Sequence, residues 1–303
     1  MKCLLIVNRA AGQGRPEQVQ AEMEAALGPL LAAQVTTQGP GDALTAARQA
    51  GQSGQFDALL VAGGDGTVNE AINGLLLAGG GASSPLPLGL LPMGTQNVLA
   101  HELGLGNSDL EALAGVVRAG RTRRIDVGCA GGRYFALMAG FGFDAAVVGD
   151  VQHAFKSLLG PAAYAFATLG TLAKYRSTSV RLQIDDAEVS TEAFLIVVAN
   201  AASYAYRQIK LAPFASLDDG WLDVCVFERP LSDRVGFATQ IMAVLAKRHL
   251  RDPRVRYYRA RHVGIESDPP ITGQLDGDRF QQTPISIDVV PRALPIFVPG
   301  GTR

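Results

Sequence analysis

The stretch that decides the fold reads Asp57-Ala58-Leu59-Leu60-Val61-Ala62-Gly63-Gly64-Asp65-Gly66-Thr67, and an apolar pattern through Val68, Ile72 and Leu75/Leu76 follows it. An uninterrupted apolar run ending in a glycine pair describes a strand buried on both faces, which belongs in a parallel sheet flanked by helices. The helical spacing that resumes at Val68 makes residues 57–77 a strand–turn–helix unit. In such a turn, successive backbone N–H groups and the helix N-terminus face one point, and glycine lets a phosphate come close to the main chain. Asp65 would repel a bare phosphate. It therefore implies a bound Mg²⁺, a phosphate-accepting hydroxyl or a hydrogen-bonding task within the loop. Neither GxxxxGK nor GxGxxG occurs, which sets aside two common nucleotide fingerprints.

The same alternation extends to both sides. Upstream lie an apolar run at 3–7, a helical stretch at 17–27, a further apolar run and a second helix at 42–50. Downstream, a Gly/Ser/Pro loop at 79–87 leads to a strand at 88–91, the turn Pro92-Met93-Gly94-Thr95 and another helix. The first third thus reads as an α/β domain built on a parallel sheet. From residue 124 the pattern changes. The segments 124–127, 134–138, 180–184, 193–198, 222–227, 254–265 and 285–289 are short, β-branched or alternating, and turn residues separate them. That is a mainly antiparallel β domain. Gly120 stops the preceding helix, so the expected domains are 1–123 and 124–303.

The 303 residues are 48% apolar and 18% charged, enough for an ordered chain with a large core. Lys plus Arg total 27 against 28 for Asp plus Glu, so no global field gathers a polyanion, and nucleic acid is excluded as a partner. Cys3, Cys129 and Cys225 give neither a disulfide framework nor a zinc cluster, and residues 3–7 are too short for a signal-peptide core. A cytoplasmic protein is expected. Residues 157–173 carry no charge, but Gly160, Pro161 and Gly170 interrupt them, which favours a buried or pocket-lining helix over a membrane span. Lys247, Arg248, Arg251, Arg254, Arg256, Arg259 and Arg261 are opposed in that stretch only by Asp252. They read either as the solvated edge of a sheet or as a contact with an anionic bilayer. His101, His153, His249 and His262 show no ligand spacing.

Several separate motifs, in order from residue 8 to residue 278, resemble the diacylglycerol kinase catalytic-domain family, which includes bacterial lipid kinases, sphingosine kinases and ceramide kinase. They are NRAAG at 8–12, Thr37 ahead of Gly41-Asp42-Ala43, GGDGTVNE at 63–70, PMGTQN at 92–97, RIDVG at 124–128, the turn holding Ser216, Asp219-Gly220 and Trp221, and LDGD at 275–278. The resemblance implies an NAD-kinase/diacylglycerol-kinase-like fold. It also implies a nucleotide site formed by Asn8, Gly12, Thr37, Gly63, Gly64, Asp65, Gly66, Thr67, Asn69, Glu70, Gly94, Thr95 and Asn97. It further implies a structural Mg²⁺ held by Ser216, Asp219 and Trp221 with Asp126 nearby, and catalytic carboxylates among Asp65, Asp276 and Asp278. Taken alone, LDGD is a plain β-turn and Asp219-Gly220 a hairpin turn. Arg9, Val98 and Asp278 depart from the family's usual Pro, Asp and Glu; Val98 marks a subgroup, and the shorter carboxylate at 278 shifts its oxygens by about one methylene.

The expected activity is ATP-dependent phosphorylation of a membrane-lipid hydroxyl, on diacylglycerol or a sphingoid-like base, in phospholipid metabolism. ATP and Mg²⁺ are the expected cofactors. Peripheral contact at the inner membrane face and a homodimer accompany that expectation. The segment 160–164 is similar to the family's Gly-x-x-AY stretch, so 158–172 reads either as an acyl slot or as core. Two alternatives stand beside the kinase reading: an NAD kinase, and a catalytically silent lipid-binding or regulatory module.

Overall fold

The computed structural model describes residues 1–8, 22–23, 25–106, 108–143, 177–203, 209–229, 239–240, 242–244 and 246–300. The expectations placed on Gly12, on the rest of 9–12 and on the apolar run 157–173 lie outside the described residues.

Four apolar runs become parallel strands: β1 (Cys3–Val7), β2 (Leu31–Thr36), β3 (Ala58–Gly63) and β4 (Leu88–Pro92). They stand in the order β2-β1-β3-β4. β1 and β3 are buried throughout and β4 at all but its last residue, as strands covered on both faces must be. β2 is half-exposed. Between these strands run α1 (Asp42–Ser53) and α2 (Asp65–Ala78); α3 (Val98–Glu102) and α4 (Leu110–Ala119) follow β4. α1 buries only alanines, Ala43, Ala46, Ala47 and Ala50. On α2, Gly74 lies so near α1 that a Cβ there would strike the Leu44 carbonyl and approach Ala47 Cβ to 2.9 Å. The register sets Val7 beside Thr36 and Ala62, and Gly63 beside Pro92, so all four strands end at one level.

The remaining strands are β5 (Thr122–Ala130), β6 (Arg133–Phe135), β7 (Met138–Gly142), β8 (Thr178–Ile184), β9 (Ala187–Ala199), β10 (Leu222–Glu228), β11 (Val255–Ala260), β12 (His262–Asp268), β13 (Thr272–Leu275), β14 (Asp278–Gln282) and β15 (Ile285–Phe297). The pairs β5–β6, β7–β9, β7–β13, β8–β9, β8–β12, β9–β10, β10–β11, β12–β15 and β13–β14 are all antiparallel. Side chains alternate between two apolar layers. Ile196, Val198, Val224 and Val226 join Phe141, Leu182 and Leu275 in one layer. Val197, Ala199, Cys225 and Phe227 join Phe194, Val244 and Val255 in the other. The α/β domain with a parallel sheet, followed by a mainly antiparallel β domain, is the architecture expected from the sequence.

By contacts, Met1–Val127, Leu217–Gly220 and Val290–Arg303 form one unit, and Gly128–Ser216 with Trp221–Val289 the other. Two late stretches therefore rejoin the first unit. Leu217 is tied there because its carbonyl accepts from Asp126 N at 2.6 Å, and Ile296 of β15 pairs with Leu88 of β4 in parallel.

Candidate functional site

In the first unit the turns after β3 and β4 start side by side, and Met93 N donates to the Gly63 carbonyl at 3.0 Å. Their main chains nearly touch. A Cβ on Gly94 would lie 2.6 Å from Gly64 Cα and 2.9 Å from Asn97 Oδ1, while one on Gly63 would lie 2.8 Å from the Thr67 side chain. Glycine is thus required at 63 and 94 by close approach, not by backbone angle, since neither has a positive φ. Gly66 differs. A Cβ there would meet nothing within 4 Å. α2 begins at this point with no side-chain cap, so the donors of its first turn are not satisfied in that way.

Side chains tie the neighbouring loops to this turn. Asn8 follows β1; its main-chain N donates to the Ala62 carbonyl at 2.8 Å and its Nδ2 to Thr67 Oγ1 at 2.9 Å. Thr37 follows β2, and its N donates to the Val7 carbonyl at 2.9 Å. Glu70 Oε1 accepts from Gly41 N at 2.9 Å, and Asn69 is buried and accepts from Asn73 Nδ2. Asn97, at φ +47, accepts from Gly94 N at 2.9 Å and returns Nδ2 to the Gly94 carbonyl at 2.6 Å. Asn is among the few residues that tolerate the left-handed region. Thr95 is exposed.

Asp65 Oδ1 accepts from Val98 N at 2.7 Å, so this carboxylate caps the start of α3 from the neighbouring turn. Burial pushes the Asp65 carboxyl above its ordinary value, against the opposing pull of the N–H groups of Val98, Asn97 and Leu99. Of the roles the sequence left open for Asp65, the hydrogen-bonding one is present in the geometry. Val98 meets Asp65 through its main chain and buries its own side chain.

In the second unit, Asp276 and Gly277 have φ of +48 and +89 and close the β13–β14 hairpin, with Leu275 opposite Asp278. Two positive angles in a two-residue loop make a type I′ turn. The carboxylate of Asp276 accepts from Ala136 N at 2.8 Å and from Leu137 N and Met138 N at 2.9 Å each, while its own N donates to the Met138 carbonyl at 3.0 Å. Buried Gln274 completes the turn by accepting from Gly277 N at 2.7 Å. Asp278 is different. Its side chain is 49% exposed and pairs with Arg133 Nη2 at 2.6 Å. The sequence reading missed Arg133 and Gln274: Gln274 directly precedes the LDGD segment and Arg133 follows RIDVG by five residues, but only the folded hairpin shows that they hold its turn and Asp278.

Asp126 is fully buried. Its two oxygens accept from Gly220 N at 2.7 Å and from Arg292 N at 2.6 Å. Arg123 grips Asp218 through two nitrogens, Nε at 2.8 Å and Nη2 at 2.6 Å. The 217–220 turn is therefore bound to β5 by main-chain and ion-pair contacts. Asp219 is exposed and Ser216 half-exposed; Trp221 stacks against two arginines. Among the described residues no group of three or more His, Cys, Asp or Glu side chains gathers as a metal cluster. A cation at this turn would draw on Asp219 and on main-chain or hydroxyl oxygens, with the Asp126 carboxylate, which accepts two N–H groups, nearby.

Residues 2–130 match the family model described as the diacylglycerol kinase catalytic domain, and residues 138–298 match the YegS C-terminal NAD kinase beta sandwich-like domain. A diacylglycerol kinase of Bacillus subtilis strain 168 is 33% identical over 78% of this chain and 76% of its own. A protein of Chromohalobacter salexigens named as a YegS-like lipid kinase is 33% identical over 90% of this chain and 85% of its own. A crystal structure from Bacillus anthracis str. Sterne, assigned as a diacylglycerol kinase, superposes with a TM-score of 0.81 at 26% identity, covering 99% of this chain and 98% of that one.

Proposed function

The chain belongs to the diacylglycerol kinase catalytic-domain family of lipid kinases, and from that premise we propose that it moves the γ-phosphoryl group of ATP onto a hydroxyl of a membrane lipid, a diacylglycerol or a sphingoid-like alcohol. The observation that carries this reading is the junction of two glycine turns on adjacent parallel strands, where Gly64 and Gly94 touch and the N-terminus of α2 opens beside Gly66. Backbone N–H groups at 64–67 and at Thr95 hold phosphate oxygens there, in the crevice beyond the C-terminal ends of parallel strands where such sheets bind ligands. ATP supplies the phosphoryl group, and Mg²⁺ bound with it neutralises its charge.

The protein's own groups have separate tasks. Asp65 holds α3 against the α2 turn and so fixes where the 94–97 turn stands. Asn8 and Thr67, with Glu70 and Gly41, brace the loops around the phosphates. Asp278 takes the proton of the acceptor hydroxyl: it is the carboxylate of the LDGD segment that main-chain amides do not hold, and Arg133 orients it. Asp276 shapes the turn that presents Asp278. A structural Mg²⁺ at Ser216, Asp219 and Trp221 belongs to the same proposal and rests on the family resemblance.

The test is transfer of label from γ-labelled ATP across a panel of dispersed diacylglycerol, sphingosine, ceramide and NAD. A labelled lipid and unlabelled NAD are expected. Label on NAD alone would make the protein an NAD kinase, and no label on any acceptor would leave a silent module.

A further inference from the structure

The link between β6 and β7, residues 136–137, lies in neither strand, so its main-chain groups need partners that no ladder supplies. Two residues provide them. The N–H groups of Ala136, Leu137 and Met138 go to the Asp276 carboxylate, and Asp276 N donates to the Met138 carbonyl at 3.0 Å. The carbonyls of 136 and 137 go to Asn200, the residue that follows β9. Its Nδ2 donates to the Ala136 carbonyl at 2.8 Å and its main-chain N to the Leu137 carbonyl at 2.8 Å, where Ala201 N adds a second bond at 3.0 Å. Asn200 is fully buried and Ala136 nearly so. At that depth a carbonyl that loses its donor keeps the full cost of its desolvation.

The same stretch holds the other acid of the hairpin. Arg133, at the start of β6, pairs with Asp278 at 2.6 Å, and Phe135 of that strand is fully buried in one apolar layer with Phe141 and Leu275. Residues 133–138 therefore touch both carboxylates of LDGD, Asp278 through Arg133 and Asp276 through three amides. A shift of this stretch moves the proton acceptor and its turn together. The ladders alone do not prevent such a shift. The β7–β13 ladder stops at Ala139 and Leu275, just before Asp276, and the β7–β9 ladder stops at Met138 and Ala199, just before Asn200. Past these ends, Asp276 ties the stretch to the hairpin, and Asn200 ties it to β9, the strand that pairs with β7, β8 and β10.

We propose that Asn200 is a positioning residue for phosphoryl transfer. By holding the Ala136 carbonyl it sets where residues 133–138 stand, and through Arg133 and Asp276 it sets where Asp278 meets the acceptor hydroxyl. Nothing in the sequence singles it out, since VVANAA at 197–202 reads as the end of an apolar strand. Asparagine suits the task because its amide donates a hydrogen bond without carrying a charge into a buried place. An aspartate of the same shape would set an oxygen against the Ala136 carbonyl. The inference rests on the lipid-kinase reading, under which Asp278 receives a proton.

The test is steady-state kinetics of the full chain with ATP and the lipid that the wild type phosphorylates best. Asn200→Asp, and Asn200→Ala as the milder change, are expected to lower kcat about ten- to a hundredfold, the loss that a small misplacement of a reacting group causes, with KM for ATP unchanged. Arg133→Met should lower kcat to a similar extent. The double variant Asn200→Asp/Arg133→Met should lose no more than the worse of the two, because both act through Asp278. Val226→Ala, which opens a cavity in the same apolar layer, should lower the unfolding temperature and keep kcat when assayed well below it. Full kcat in the Asn200 variants, a raised KM for ATP in place of the kcat loss, or losses that multiply in the double variant would overturn the role. A wild type that labels no lipid removes the kinase reading and this role together, whereas an active wild type with unimpaired Asn200 variants removes the role alone.

Discussion

At position 66 a side chain would enter open space, whereas at 63 and 94 it would collide with protein. The three glycines look alike in the sequence, and only their surroundings separate a packing role from a ligand role. Gly66→Ala is therefore expected to stabilise α2 by about 0.5–1 kcal/mol, as alanine does in a helix, while lowering ATP affinity by about tenfold or more because a methyl stands where phosphate oxygens approach. Thermal unfolding and calorimetric titration on one preparation check both halves, and undiminished affinity would remove this turn from the nucleotide site. The LDGD carboxylates divide in a similar way. Asp278→Asn is expected to abolish lipid phosphorylation with the unfolding temperature unchanged. Asp276→Asn gives up acceptor capacity for the N–H groups of 136–138 and is expected to cost about 1–3 kcal/mol of stability. A variant pair with the reverse behaviour would exchange the two roles. The turn itself was legible in the sequence. That Asp276 is taken up by main-chain amides while Asp278 is not was hidden, because it depends on three amides 138–140 residues away.

Elements joined by single polar contacts show how much of the second unit depends on long-range pairing. The short 3-10 turn His249–Arg251 is fastened to the segment at 211 by His249 Nε2, which contacts the Leu211 carbonyl at 3.1 Å, while its ring stacks on Phe227 at 5.9 Å. That contact makes Nε2 the protonated nitrogen, and Nδ1 is buried with no partner among the described residues. Burial pushes His249 below its ordinary value, outweighing the pull of the Leu211 carbonyl. A histidine whose folded value is depressed adds stability that is complete above the unfolded value of about 6.5 and is lost as pH falls toward the folded one. The unfolding temperature of the wild type should therefore drop from pH 7 to pH 5 more steeply than that of His249→Gln, whose amide can still donate to Leu211. Parallel slopes would show that the ring stays neutral for another reason or that the turn does not control unfolding. In the sequence this histidine is one of four without ligand spacing. Strands such as β3 and β10 are plain from their apolar runs, but nothing local tells that residue 249 lies under Phe227.

For the whole molecule, the change from parallel to antiparallel strands near residue 124 shows in the sequence as a run of short strands separated by turns without intervening helices; alternation marks β8, while β7 and β10 are as continuously apolar as β1 and β3. The return of Leu217–Gly220 and Val290–Arg303 to the first unit leaves none. It depends on Asp126 binding the amides of Gly220 and Arg292, 94 and 166 residues further along the chain. The glycine-bearing turns after β3 and β4 were legible because glycine and asparagine at strand ends have few other uses. The bonds that join them, Asn8 to Thr67, Asp65 to Val98 and Glu70 to Gly41, appear only once β1, β3 and β4 end at one level. The most direct measurement is a crystal structure of the full chain with Mg²⁺ and a non-hydrolysable ATP analogue. Phosphate oxygens within hydrogen-bond distance of the Gly66 and Thr67 amides, beside Gly94, are the expected result. A triphosphate bound away from these two turns, or none bound at saturating analogue, would contradict the kinase assignment.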